Sequence, residues 1–216
     1  MKVGTDGVAL GSWTDCNGVS HAIDVGCGCG LIALMIAQRC GAKVDAIDID
    51  SGACCDAREN IAASPWTHLI SVTEMDISDY RPSQLADLII SNPPFFAEGE
   101  QAHSAERAVA RHEGTLNYST LIDFATKSLT PNGRLAFIYP FGREDEIIYK
   151  AEMSHLKLRR ICHLQQTTNR KPIRTMFEFH RIDGPIVKET IAIRNVDGQG
   201  YSSRFSELCK DFYLEL

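Results

Sequence analysis

The chain has 216 residues, 44% of them apolar and 23% charged, with 16 Gly and 8 Pro spread along its length. That composition excludes a fibrous, collagen-like or disordered polypeptide and allows a sizeable buried core. The formal net charge of −6 argues at first against a nucleic-acid partner, but it sums two unlike halves: residues 1–100 hold 5 basic and 14 acidic side chains, and residues 101–216 hold 17 and 14.

No run approaches the roughly 18 apolar residues that cross a bilayer. The longest, Leu31 to Ala37, is far shorter, and Met1 to Asp6 carries no signal-like apolar stretch. No membrane partner is expected. The cysteines Cys16, Cys27, Cys29, Cys40, Cys54, Cys55, Cys162 and Cys209 lack the paired spacing of a zinc site. They read as free thiols of a reducing cytoplasm, with no metal.

Short β-branched runs alternate with helical segments along the first 140 residues. His21–Val25 predicts a buried strand, Leu31–Arg39 a helix, Lys43–Ile47 a strand and Ala53–Ala63 a helix that stops before Pro65. Leu69–Glu74 and Ala86–Ser91 predict two further strands, the second ending in Asn92-Pro93-Pro94. Tyr118–Leu129 reads as a helix stopped by Pro131-Asn132-Gly133, with Arg134–Tyr139 as the next strand. Beyond it come a helix over Glu144–Ser154, strands over Leu156–Leu164 and Thr175–Ile182, and a polar loop Gln165–Arg174 between them. Ile186–Ile193 predicts a last strand and Phe205–Phe212 a closing helix. No linker or repeat interrupts the pattern, so one α/β domain over residues 1–216 is expected. Its sheet is doubly wound and mostly parallel, with an antiparallel C-terminal edge strand.

The turn after the first strand reads Asp24-Val25-Gly26-Cys27-Gly28-Cys29-Gly30. It lies where such a fold binds its ligand. A dinucleotide fingerprint would need glycine at position 31, which is Leu31. Asp24, Asp48 and Asp76 fall at successive strand ends, an arrangement poor for phosphate and suited to a cationic ligand. A carboxylate at Asp48 can accept from a ribose diol. S-adenosylmethionine, with a sulfonium, an ammonium and a ribose but no phosphate, meets these demands.

Asn92-Pro93-Pro94-Phe95 closes the fourth strand. The Asn92 amide and the Pro93 carbonyl offer two acceptors on a rigid turn, since proline fixes φ and lacks an N–H. Two acceptors on one exocyclic amine hold its hydrogens and leave its lone pair directed at an electrophile. Phe95 offers a stacking face for a planar ring, with Phe96 a second wall or core packing. His103 and His112 are not needed, because positioning and charge complementarity carry such a transfer.

The glycine turn with Asp48 resembles the class I S-adenosylmethionine-dependent methyltransferases, whose fold is Rossmann-like. The resemblance makes Gly26, Gly28 and Gly30 the backbone approach to the cofactor, Asp48 its ribose ligand, and Asp76 with Ile77 the neighbours of its adenine. Asp24 fixes the turn or meets the cofactor's amino group through water. Asn92, Pro93, Pro94 and Phe95 form the catalytic motif of the amino-methylating branch, which acts on adenine N6 or on glutamine N5.

Met1 to Trp13, Ala46 to Asp50, Ser64-Pro65-Trp66, Ser91 to Phe96 and Asp211 to Leu214 resemble the bacterial valine-tRNA adenosine-N6 methyltransferases. That family modifies the adenosine just 3′ of the anticodon. The resemblance implies a cofactor-capping segment over residues 1–13, with Thr5 and Gly7 against the cofactor, a cofactor-binding core over 20–140, and C-terminal strands with a basic loop over 141–216. The partner it implies is tRNA, bound by a monomer. Arg170, Lys171 and Arg174 in the loop are candidate phosphate contacts. So are Arg107 and Arg111 beside the target nucleotide, which must be flipped from its stack. The alternatives are a release-factor-type glutamine-N5 methyltransferase and a catalytically silent RNA-binding subunit.

Overall fold

A computed structural model describes residues 4–94 and 116–213. Helix α1 (Thr5–Trp13) precedes β1 (His21–Val25), α2 (Leu31–Cys40), β2 (Lys43–Asp48), α3 (Ser51–Ala62), β3 (Ile70–Glu74) and β4 (Ala86–Ser91). There follow α4 (Tyr118–Ser128), β5 (Leu129–Pro140), α5 (Glu144–Met153), β6 (Lys157–Gln165), β7 (Pro172–His180), β8 (Val187–Ala192) and α6 (Ser203–Cys209).

The strands form one sheet in the order β3-β2-β1-β4-β5-β7-β6-β8. The chain winds outward from β1 through β2 to β3, then returns to β4 on the other flank of β1. That reversal opens a crevice beyond the carboxyl ends of β1 and β4, the usual ligand position of an open α/β sheet. The antiparallel strand expected near the C-terminus is β7, which pairs with both β5 and β6. It lies inside the sheet because the 166–171 connection turns β6 back into it, and β8 continues outward parallel to β6.

Residue alternation divides the core between the two faces. Ala22, Val44, Ala46, Leu88, Ile90 and Ala136 face α1, α2, α3 and α6. Ile23, Ile47, Ile89, Leu135, Phe137 and Phe177 face α4 and α5. At the amino ends of the strands, Asp45 accepts from Tyr80 (2.9 Å) and Ser71 (2.8 Å) and pairs with His21 (3.0 Å).

Two local departures from the expected elements have clear causes. The strand after α4 begins at Leu129 rather than Arg134, because Pro131-Asn132-Gly133 is absorbed as an irregularity: Leu129 pairs with Ala86 and Arg134 with Leu88. Residues 5–13 form a helix despite Gly7 and Gly11. These lie four apart on one helical face, and α1 uses that face for close approach. A Cβ at Gly11 would stand 2.7 Å from Met35 Sδ. The end of α1 is held by Arg39, whose Nη1 donates to Gly11 O (2.6 Å) and Thr14 O (2.7 Å).

Candidate active site

The crevice is a cavity of about 980 Å³, at the upper end of the range for small-molecule sites. Its floor is the turn after β1, fastened to β2: the Gly26 and Cys27 amides donate to Ile47 O at 2.8 and 3.0 Å. Gly26 has φ +68°, and a Cβ there would meet Leu116 Cδ2 at 2.7 Å. The backbone is therefore left bare toward the cavity for a close-fitting ligand.

Asp48 lies one strand away. It accepts from Gly28 N at 2.8 Å through Oδ2 and from Asp50 N at 3.0 Å through Oδ1. Asp50 caps α3 by accepting from Ala53 N at 2.6 Å. Asp76 folds its own turn, accepting from Ser78 N at 2.7 Å, and Ile77 beside it is buried. Asp6, Asp48, Asp50 and Asp76 all line the cavity, and the lining contains one cationic side chain among the described residues, Arg194. This donor set fits a cationic, diol-bearing, phosphate-free ligand.

Asn92, Pro93 and Pro94 stand at the end of β4 and line the same cavity. Ser91 pins that strand end by donating to Val25 O at 2.8 Å from a buried hydroxyl. Helix α1 closes over the motif. A Cβ on Gly7 would stand 3.8 Å from Asn92 Nδ2 and 3.3 Å from Leu31, so the bare glycine lets the helix rest against the asparagine. Thr5 and Asp6 line the cavity from the first turn of α1. Asp6 pairs with Arg174 at 2.8 Å.

The methyltransferase small domain family matches residues 14–141. Proteins named tRNA1(Val) (adenine(37)-N6)-methyltransferase are similar along nearly the whole chain. The one from Klebsiella pneumoniae is 40% identical, covering 99% of this chain and 89% of its own length. That of Parabacteroides distasonis is 39% identical, covering 100% and 92%. The chain belongs to this methyltransferase family. Among solved structures, a predicted O-methyltransferase from Agrobacterium tumefaciens has the same fold, at TM-score 0.74 and 16% identity, covering 95% of this chain and 96% of that one. The N-methyltransferase NodS from Bradyrhizobium japonicum, solved with S-adenosyl-L-homocysteine, superposes at TM-score 0.56 and 18% identity, covering 82% and 83%.

Within this family member the cavity gathers Thr5, Gly26, Asp48, Asp76, Ile77, Asn92, Pro93 and Pro94. Gly7, Asp24, Gly28 and Gly30 stand behind its wall. Gly28 gives its amide to Asp48, and Gly30, at φ +79°, brings the start of α2 against Ala57 and Ile61 of α3. Asp24 is fully buried: Oδ2 accepts from Ala33 N at 3.0 Å, and Oδ1 has no partner. Burial, reinforced by the nearby Asp48 charge and only partly opposed by the Ala33 bond, pushes its carboxyl up to about 7. Phe95, Arg107 and Arg111 lie outside the described residues.

Most of the basic side chains between Met153 and Arg181 are engaged within the fold. Arg160 pairs with buried Glu178 at 3.0 Å and lies 4.1 Å over the Trp13 ring. Arg159 donates to Ile182 O and Pro185 O, Arg181 to Thr126 O and Leu129 O, and Arg174, on β7 rather than in the loop, to Asp6. Arg170 and Lys171 are exposed on the loop at the cavity end of the sheet.

Sequence reasoning missed the C-terminal wall, formed by Gln166, Ile173, Ile193, Arg194 and Tyr201. No local motif marks these residues, which converge only through the β6-β7-β8 topology. Among the described residues no helix is long and apolar enough to cross a membrane, and no group of three or more His, Cys, Asp and Glu side chains could hold a metal ion.

Proposed function

We propose that this protein transfers a methyl group from S-adenosylmethionine to N6 of the adenosine 3′ of the anticodon in valine tRNA. The observation that carries this reading is the near-full-length similarity, at about 40% identity, to proteins of that name. The Asn92-Pro93 acceptors beside a carboxylate-lined cavity support the same chemistry.

When bound, S-adenosylmethionine supplies a methyl group on a positively charged sulfur. Asp48 would hold the ribose hydroxyls, the bare backbone at Gly26 would admit the methionine part, and Asp76 with Ile77 would border the adenine. Asn92 Oδ1 and the Pro93 carbonyl accept the two hydrogens of the target amine, which fixes the nitrogen with its lone pair free. The proton leaves to water, so no titrating base is assigned. Phe95 stacks the flipped base, a contribution of about 1–3 kcal/mol. Arg170 and Lys171 contact phosphate, together with Arg107 and Arg111 nearer the nucleotide. The reading includes a cytoplasmic location, which a tRNA substrate supports, and an enzyme that acts as a monomer.

The test is incubation with methyl-labelled S-adenosylmethionine and separate tRNA, ribosomal RNA and release-factor substrates. Label recovered as N6-methyladenosine from digested tRNA is expected. Label in protein alone, on glutamine, would replace this reading with the N5 alternative.

A further inference from the structure

Arg194 is the only lysine or arginine, among the described residues, that lines the cavity. Four carboxylates share that lining, yet none of the described carboxylates lies within ion-pair distance of it. Arg174, which reaches α1 from β7, is held by Asp6.

The position of Arg194 is built by the fold. Its amide donates to Gln166 O at 3.0 Å, and its backbone bridges Tyr201 in antiparallel fashion. The guanidinium lies 5.1 Å over the Tyr201 ring, within reach of a cation–π contact. Tyr201 in turn stacks on Phe205, at 5.4 Å and 22°, and Phe205 is completely buried. The cation is thus seated on an aromatic stack rooted in the core. Its planar fork of donors suits a phosphate better than a point charge would.

The sheet order says which ligand the anion belongs to. Asp48 ends β2 and the glycine turn follows β1, whereas Arg194 follows β8 at the far edge, with β6, β7, β5 and β4 between it and β1. Asn92, at the end of β4, stands between the two. An anion at the Arg194 end therefore approaches from the acceptor side and is not the carboxylate of the cofactor.

We propose that Arg194, laid flat on Tyr201, binds a backbone phosphate of the RNA strand whose adenosine is presented to Asn92. This inference rests on the reading of the reaction given above. It makes Arg194 a specificity residue that favours a nucleotide within a strand over a free nucleoside or a protein amide.

The experiment compares the full chain with Arg194→Ala and Arg194→Lys, using tRNA transcript and methyl-labelled S-adenosylmethionine over a range of salt concentrations. Arg194→Ala should raise the KM for tRNA about tenfold with little change in kcat. The log–log salt slope of tRNA binding should fall by about 0.7–0.9, the loss of one phosphate contact. Arg194→Lys should restore the slope and only part of the affinity, because the planar stack is lost. Affinity for S-adenosylhomocysteine, measured by calorimetry, should be unchanged in both. An unaltered KM and salt slope in Arg194→Ala would overturn the proposal. So would a selective loss of S-adenosylhomocysteine affinity, which would assign the anion to the cofactor. Failure of the wild-type chain to label tRNA would instead overturn the reaction on which the proposal rests.

Discussion

The Gly28 amide donates to the Asp48 carboxylate at 2.8 Å, which makes the turn after β1 and the acid ending β2 a single unit. The second carboxylate oxygen accepts from Asp50 N at 3.0 Å. The side chain is therefore fixed at the cavity floor before a ligand arrives, and little ordering remains to be done on binding. Asp48→Ala removes the proposed ribose contact and the tie to the turn together. Its affinity for S-adenosylhomocysteine should drop by about tenfold or more, the scale of a hydrogen bond to a charged group. Calorimetric titration measures this directly, and an unchanged Kd would remove Asp48 from the site.

In the proposed reaction Asn92 acts at a different stage. It sits on a strand end pinned by the bond from Ser91 Oγ to Val25 O, and its side chain reaches the bare Gly7 face of α1. Asn92→Ala should leave S-adenosylhomocysteine affinity nearly unchanged and lower kcat by about 10²–10³, the usual cost of one preorganised group at the reacting centre. If affinity and kcat fell together, Asn92 would be holding the pocket rather than the amine.

The strands were legible because short apolar, β-branched runs such as His21–Val25, Lys43–Asp48 and Ala86–Ser91 stop at turn signals, and the glycine turn and the Asn92 motif directly follow the first and the last of them. Asp24, near a strand end, was read either as fixing the turn or as meeting the cofactor's amino group through water. Its side chain turns toward α2, where it accepts from Ala33 N, and it does not line the cavity. A sequence gives the period of a strand but not which face the cavity occupies. The basic half misled in a related way: the charge count could not reveal that Arg160 is matched by Glu178 from the next strand, or Arg174 by Asp6 from the far end of the chain. Arg194 and Tyr201 left no pattern at all, because strands β6, β7 and β8 must assemble before the pair faces the cavity.

These pairings separate basic residues that hold the fold from those available to RNA. Glu178 is 1% exposed and receives hydrogen bonds from Arg160, His180 and the Asp15 amide. These partners hold its carboxyl below its ordinary range despite burial. Arg160→Ala should destabilise by about 2–3 kcal/mol, less than the 3–5 typical of a broken buried pair because two partners remain. It should leave the salt slope of tRNA binding untouched. Lys171→Glu should do the reverse, weakening tRNA binding at unchanged Tm. Denaturant titration and filter binding on the two variants check the partition.

Asp24 gives the protein a pH dependence of a particular sign. Its carboxyl is raised to about 7 from an ordinary 3.8, chiefly by burial, with the Asp48 charge adding to the shift. The folded state therefore holds a proton that the unfolded chain has already lost over that interval. The associated stability is complete below the unfolded pKa, declines as pH rises from about 4 to about 7, and is gone above the folded value. Asp24→Asn keeps an acceptor for Ala33 N and abolishes the titration. The difference in unfolding free energy between variant and wild type should shift in favour of asparagine with rising pH, by on the order of 4 kcal/mol across that window, and then level off. Chemical denaturation at several pH values from 4.5 to 8 reads this shift against any constant offset from the amide itself. A parallel pair of curves would mean that Asp24 stays ionised in the folded protein, with its buried Oδ1 charge met by a group yet to be identified.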